Sequence, residues 1–151
     1  MPDDDFPQIR VMQKLGRTYR TLLAAFSASI GQPMPRWRVM LMLYQQGEMS
    51  QKQLSELLRM DPAALTRQIK VIEHLGWVRR HNDALDNRLT NVALSPVGIQ
   101  VVEQAMPARK AFIQRALSDL SDADLTALSG TLDTLERRLR DELAAGNADK
   151  P

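Results

Sequence analysis

Apolar positions recur every three or four residues through most of this chain, and the places where that rhythm changes are informative. Ile9, Met12, Leu15, Tyr19, Leu22, Leu23, Phe26 and Ile30 fall on one helical stripe. Gly31-Gln32-Pro33 ends it. Pro35 suits the first position of a second helix, which runs to about Gln46 and stops at Gly47, with Trp37, Met40, Leu41 and Tyr44 facing inward. Ser50-Gln51-Lys52-Gln53 has the spacing of a reciprocal helix cap, and Leu54, Leu57 and Leu58 form the buried face behind it. A tight turn at Arg59-Met60-Asp61 leads to a helix over 62–75, with Asp61 as cap, Pro62 at its first position and Leu65, Ile69, Ile72 and Leu75 on its core side. Beyond Gly76, residues 77–81 and 90–94 read as short strands, with Val78, Val92 and Leu94 as their apolar positions. Ser95-Pro96 starts a long helix, in which Pro107 predicts a kink or a break because it lacks an amide donor and crowds the preceding turn. Ser121-Asp122-Ala123-Asp124 starts the last one, with acidic groups at its positive end. Asp3-Asp4-Asp5 is expected to be a solvated start, and 144–151 a frayed tail.

Helix, turn, helix and hairpin in that order make a winged helix-turn-helix. The fold class is therefore mainly α with a small β-hairpin wing, flanked by long N- and C-terminal helices. The helix over 62–75 is the one to enter a major groove. Its core residues leave Pro62, Ala63, Ala64, Thr66, Arg67 and Lys70 to meet the duplex, with Gln68 as an adenine reader if angled inward. Arg67 suits bidentate contact to guanine, and Thr66 or an alanine methyl suits a thymine methyl. On the hairpin tip, Arg88 suits a narrow minor groove, with Asp86 and Asn87 beside it to hold the guanidinium and the loop. Ser50, Gln51 and Lys52, at the start of the preceding helix, are phosphate contacts by position.

Charge agrees with that placement. Residues 36–98 carry nine basic and six acidic side chains, a balance of +3, while 99–151 carry seven and nine, a balance of −2. A positive excess at the duplex-facing block is what phosphate neutralisation requires. The 151 residues contain no cysteine, which excludes disulfides, thiol nucleophiles and thiol redox sensing. No apolar run reaches the roughly 20 residues of a membrane span, and the acidic N-terminus is unlike a secretory signal, so a cytoplasmic location is expected. No catalytic constellation appears, and neither enzyme activity nor a cofactor is expected. His74 and His81 lie on different elements without cysteine partners, so no metal site is expected. Packing for His74 and a phosphate contact for His81 are the ordinary expectations.

The linked run Trp37-Arg38-Val39, Leu54-Ser55-Glu56-Leu57-Leu58, Leu65-Thr66-Arg67, Leu75-Gly76-Trp77-Val78-Arg79-Arg80, Asp86-Asn87-Arg88 and Leu94-Ser95-Pro96-Val97-Gly98 resembles the MarR family of dimeric bacterial transcriptional regulators. Ser95 stands where that family more often has threonine, and Asn87 where arginine is frequent. The resemblance implies one MarR-type domain over 1–151, with a DNA-binding lobe at 36–98 and a helical dimerisation region at 6–32 and 99–145. It implies that Leu125, Leu128, Leu132, Leu135 and Leu139, which as a ladder alone could equally be intrachain core, join two copies in a homodimer. Two reading helices would then lie about one DNA turn apart on a pseudo-palindromic operator. It also implies a ligand cleft with Arg17, Tyr19, Arg20, Trp37 and Arg38 as candidate lining residues, suited to a small aromatic carboxylate that releases a repressor from DNA. Two alternatives are a winged-helix module that binds proteins, which should carry apolar groups on the groove-facing helix, and a DNA-binding regulator that answers to no ligand.

Overall fold

The structure is a computed structural model that describes residues 6–148; Asp3-Asp4-Asp5 and residues 149–151 lie outside the described residues. The described chain forms two compact units that divide between Phe112 and Ile113. The DNA-binding lobe expected over 36–98 falls inside the first unit, whose core also includes Val102 and Phe112.

Helix α1 (Pro7–Ile30) ends at Gly31, whose φ of 74° lets its amide reach back to the Ser27 carbonyl. Helix α2 (Met34–Gln46) follows and stops at Gly47. Strand β1 (Met49–Ser50) runs directly into α3 (Gln51–Leu58), whose start is a complete capping box: Gln53 N donates to Ser50 Oγ at 3.1 Å and Ser50 N to Gln53 Oε1 at 2.9 Å. Arg59 ends α3 with φ 50°, the only described non-glycine residue in the left-handed region. Ser55 braces that turn by donating its hydroxyl to the Met60 carbonyl at 2.7 Å. Helix α4 (Pro62–His74) begins at Asp61, whose carboxylate accepts from Ala64 N at 3.0 Å. Strands β2 (Val78–Asn82) and β3 (Thr90–Leu94) pair antiparallel, and β1 pairs with the other edge of β3, giving the order β1-β3-β2. Helix α5 (Pro96–Ala116) ends the first unit and enters the second, which holds α6 (Asp122–Ala148).

The first unit's core is one cluster. Trp37, Val39, Met40 and Leu43 of α2 pack with Leu54 and Leu58 of α3, Leu65, Ile69 and Ile72 of α4, Val78 and Val92 of the sheet and Val102 of α5. Phe26 of α1 joins it, edge-on to Phe112 at 5.7 Å and tilted against Trp37 at 6.4 Å. Several expectations need correction. Leu57 and Leu75 are exposed rather than core, and Tyr44 turns outward to donate its hydroxyl to Glu103 at 3.2 Å. Met12, Tyr19 and Leu22, on the apolar stripe of α1, are also exposed. Helix α5 continues through Pro107 without an interruption of its helical assignment. Residues 144–148 continue α6 instead of fraying.

Where α5 meets β2 the two backbones touch. Ser95 N donates to the Trp77 carbonyl at 2.9 Å, and the Ser95 hydroxyl donates to the Gly76 carbonyl at 2.6 Å while accepting from Gly98 N at 3.1 Å. A Cβ on Gly98 would lie 2.0 Å from the Trp77 carbonyl oxygen and 2.9 Å from its carbon. Backbone cannot rotate away as a side chain can. Gly98→Ala is therefore expected to cost about 2 kcal/mol or more, read as a lower urea midpoint at unchanged slope.

Candidate nucleic-acid interface

The N-terminal half of α4 exposes polar and small residues, and Val71 is exposed further along. Pro62, Ala63, Arg67 and Lys70 are exposed, Ala64 and Thr66 are half-buried, and the opposite side of the helix is locked into the core by Leu65, Ile69 and Ile72. Thr66 donates its hydroxyl to the Pro62 carbonyl at 2.9 Å and accepts from Gln51 Nε2 at 3.4 Å. Gln68 departs from the expected strip: it is half-buried, and its Oε1 is buried without a hydrogen-bond partner, so this amide is not offered to solvent as Arg67 is. Ser50 is 5% exposed, and its Oγ accepts from Gln53 N in the cap of α3. Lys52, next along, is exposed.

The wing is organised by two carboxylates. Asp83 Oδ1 accepts from the amides of Leu85 and Asp86 at 2.9 and 3.0 Å, and its Oδ2 accepts from Asn91 Nδ2 at 2.8 Å. Asp86 grips Arg88 with both oxygens, Oδ1 taking Nε at 3.0 Å and Oδ2 taking Nη2 at 3.2 Å, while Oδ1 also accepts the Arg88 amide at 3.1 Å. The Arg88 side chain remains 90% exposed, so it is aimed without being covered. Asn87 is exposed beside it. Sequence reasoning missed Asp83 and Asn91. The available signal was an aspartate opening a polar loop, since Asx side chains bond the amides two and three residues on.

At the base of the wing, Glu73 of α4 takes Arg80 of β2 at 2.7 Å and fastens the reading helix to the sheet. His81 Nε2 lies 3.0 Å from Glu48 Oε1, an intrachain partner in place of the expected phosphate. His74 is exposed in the last turn of α4 and packs in no core.

The model of the MarR family matches residues 33–90, from the start of α2 to the wing. The uncharacterized HTH-type transcriptional regulator YwoH of Bacillus subtilis (strain 168) is 31% identical over 94 residues, 62% of this chain and 68% of that one. The chain belongs to the MarR family. The HTH-type transcriptional repressor IacR of Pseudomonas putida is 26% identical over 136 residues, 90% of this chain and 81% of that one. Among solved structures, Bordetella bronchiseptica BpsR, whose DNA binding is regulated by 6-hydroxynicotinic acid, superposes with a TM-score of 0.75 at 23% identity, over 84% of this chain and 98% of that one. Six helices with a three-stranded antiparallel sheet are the MarR winged-helix architecture, and this MarR-family protein is a transcriptional regulator that binds DNA. Among the described residues no helix is long and apolar enough to cross a membrane.

The residues that the MarR resemblance implies for a ligand cleft stand in different settings. Arg17, Tyr19 and Arg20 are exposed on α1. Trp37 is core, 2% exposed and packed on Phe26. Arg38 donates Nη2 to the Leu58 carbonyl and so satisfies the end of α3. Sequence reasoning passed over Arg36, which donates Nη1 to Gln32 Oε1 at 3.2 Å while its Nε stays buried without a partner. The Trp37 Nε1 is likewise buried and unpartnered, so consecutive residues of α2 each hold an unused donor.

Hydrogen bonds from Asn91 and the Leu85 and Asp86 amides lower the Asp83 pKa, and bonds from the Arg88 side chain and amide lower that of Asp86. A depressed native pKa stabilises the wing fully above the unfolded aspartate value near 3.9, and that contribution disappears as pH falls through the native values. The Leu85, Asp86 and Arg88 amide resonances should therefore hold their positions from pH 7 down to about 5 and move together only below about 4. Movement near neutrality would mean that other groups hold the wing.

Proposed function

We propose that this regulator is a homodimeric repressor that binds a pseudo-palindromic operator and leaves it when a small aromatic carboxylate binds. The observation that carries this reading is the pairing of an exposed Arg67–Lys70 strip on α4 with an exposed Arg88 clamped by Asp86 on the wing. The first suits a major groove in its charge, and the second suits the adjacent minor groove. A protein-docking module would instead centre on apolar groups; Arg67 and Lys70 are exposed on α4, and the exposed large apolar residues, Val71 and Leu75, fall towards its C-terminal end.

Dimer formation is supported by α6, which buries none of its residues within one chain while Leu128, Leu132 and Leu139 remain 41–45% exposed. Leucines repeating along one helix face gain about 25 cal/mol per Å2 when a second copy covers them. Release by an aromatic acid is supported by two unpartnered donors on consecutive residues of α2, Arg36 Nε and Trp37 Nε1, which an anion could satisfy. It is also supported by the regulation of BpsR by 6-hydroxynicotinic acid. Such a ligand lowers DNA affinity only by its preference for the non-binding conformation.

Fluorescence anisotropy with the DNA upstream of the protein's own gene tests this reading. Tight binding should survive excess random DNA, weaken with salt and fall when aromatic acids are added. Arg67→Ala should cost about 1–3 kcal/mol on the cognate site and relax base preference there. An equal loss on random DNA would reassign Arg67 to phosphate. Light scattering at micromolar concentration should give the mass of two chains, and Leu132→Asp should shift the protein towards monomer. A monomeric parent protein would rule out the dimer.

A further inference from the structure

Gln51, provisionally a phosphate contact by its place in the chain, has a partner that a phosphate anchor does not need. It is the first residue of α3, half-buried, and its carboxamide reaches across to α4, where Nε2 lies 3.4 Å from Thr66 Oγ1. The Thr66 hydroxyl has one proton, and that proton goes to the Pro62 carbonyl at 2.9 Å. Only lone pairs then face Gln51, so its NH2 must turn towards Thr66 and its Oε1 away. The two side chains line an open notch of about 450 Å3 between α3 and α4, with Lys52 and Glu56 of α3 and Pro62 and Leu65 of α4 also on its walls. The amide thus stands at the mouth between the two helices, against the residue just before the exposed Arg67.

We propose that Gln51 is a specificity-determining residue that reads adenine in each half-site, and that Thr66 is the positioning residue that orients its amide. This rests on the reading of α4 as the groove-entering helix. A carboxamide has two N–H bonds. One is taken by Thr66. In the proposed contact the other, on the Oε1 side, joins Oε1 as the donor and acceptor that the major-groove edge of adenine matches: N6–H donates to Oε1, and Nε2–H donates to N7. Guanine presents two acceptors at that edge and repels Oε1. Cytosine and thymine each complete only half of the pair. Positive anchoring of the backbone at this end of α3 falls to the neighbouring exposed Lys52.

The test uses the full-length chain and selection from a library randomised across one operator half-site, followed by anisotropy on single-base variants. The parent protein should prefer adenine at one position by roughly tenfold. Gln51→Ala should flatten that position and leave the others intact. Thr66→Val, which keeps the shape and removes the hydroxyl, should flatten the same position, and Thr66→Ser should restore it. The double variant Gln51→Ala, Thr66→Val should be no flatter than Gln51→Ala alone. Gln51→Ala weakening all sequences equally would overturn the proposal and make Gln51 a phosphate anchor. Thr66→Val leaving the adenine preference intact would overturn the positioning role. A parent protein unable to distinguish operator from random DNA would instead overturn the sequence-specific regulator reading.

Discussion

The contact on which the DNA-binding unit most depends is between two backbones. At Gly98 the first turn of α5 lies against the Trp77 carbonyl so closely that one methyl group does not fit. Ser95, buried beside it, joins the Gly76 and Trp77 carbonyls to the start of α5. Gly76 ends α4, Trp77 leads into β2, and Ser95 follows β3. Three separately formed segments are thus fixed at one point, and the spacing between the reading helix and the wing is set there. A flexible junction would lose affinity to the entropy of ordering both elements on the duplex.

The second constraint is electrostatic. Acidic groups at a surface meant for phosphates repel their target, yet Asp83 and Asp86 both lie in the wing. Each is surrounded by donors: three for Asp83, and the amide and guanidinium for Asp86. Their charges shape the loop and set the direction of one long cationic side chain, whose rotamer entropy would otherwise be lost on binding. The Glu73–Arg80 pair serves the same end at the base of the wing, where it holds helix to strand.

Much of this was legible in the sequence because local chemistry dictates it. The Ser50–Gln53 box, the Asp61-Pro62 start, the glycine stops and the hairpin all depend on neighbours within a few residues, and they stand where the spacing places them. What escaped depends on contacts across the fold. Strand β1 has two residues and exists only because β3 lies alongside. Leu57 and Leu75 have the right period, but nothing covers them in a single chain. Arg38 and Trp37 resemble pocket residues by type. One instead satisfies a helix end twenty positions away, and the other fills the core. Periodicity reports which side of a helix is apolar, but not whether a partner element reaches it.

The position of Arg38 has a mechanical result. It follows Trp37 directly on α2, so one residue is set among the aromatic rings of the core and the next holds the Leu58 carbonyl at the end of α3. Helix α2 is thereby a short lever with one arm in the hydrophobic interior and the other on the turn that aims α4. The turn that follows Leu58, with Arg59 in the left-handed region, leads straight into the reading helix, so the core and the aim of α4 share α2 as a common support.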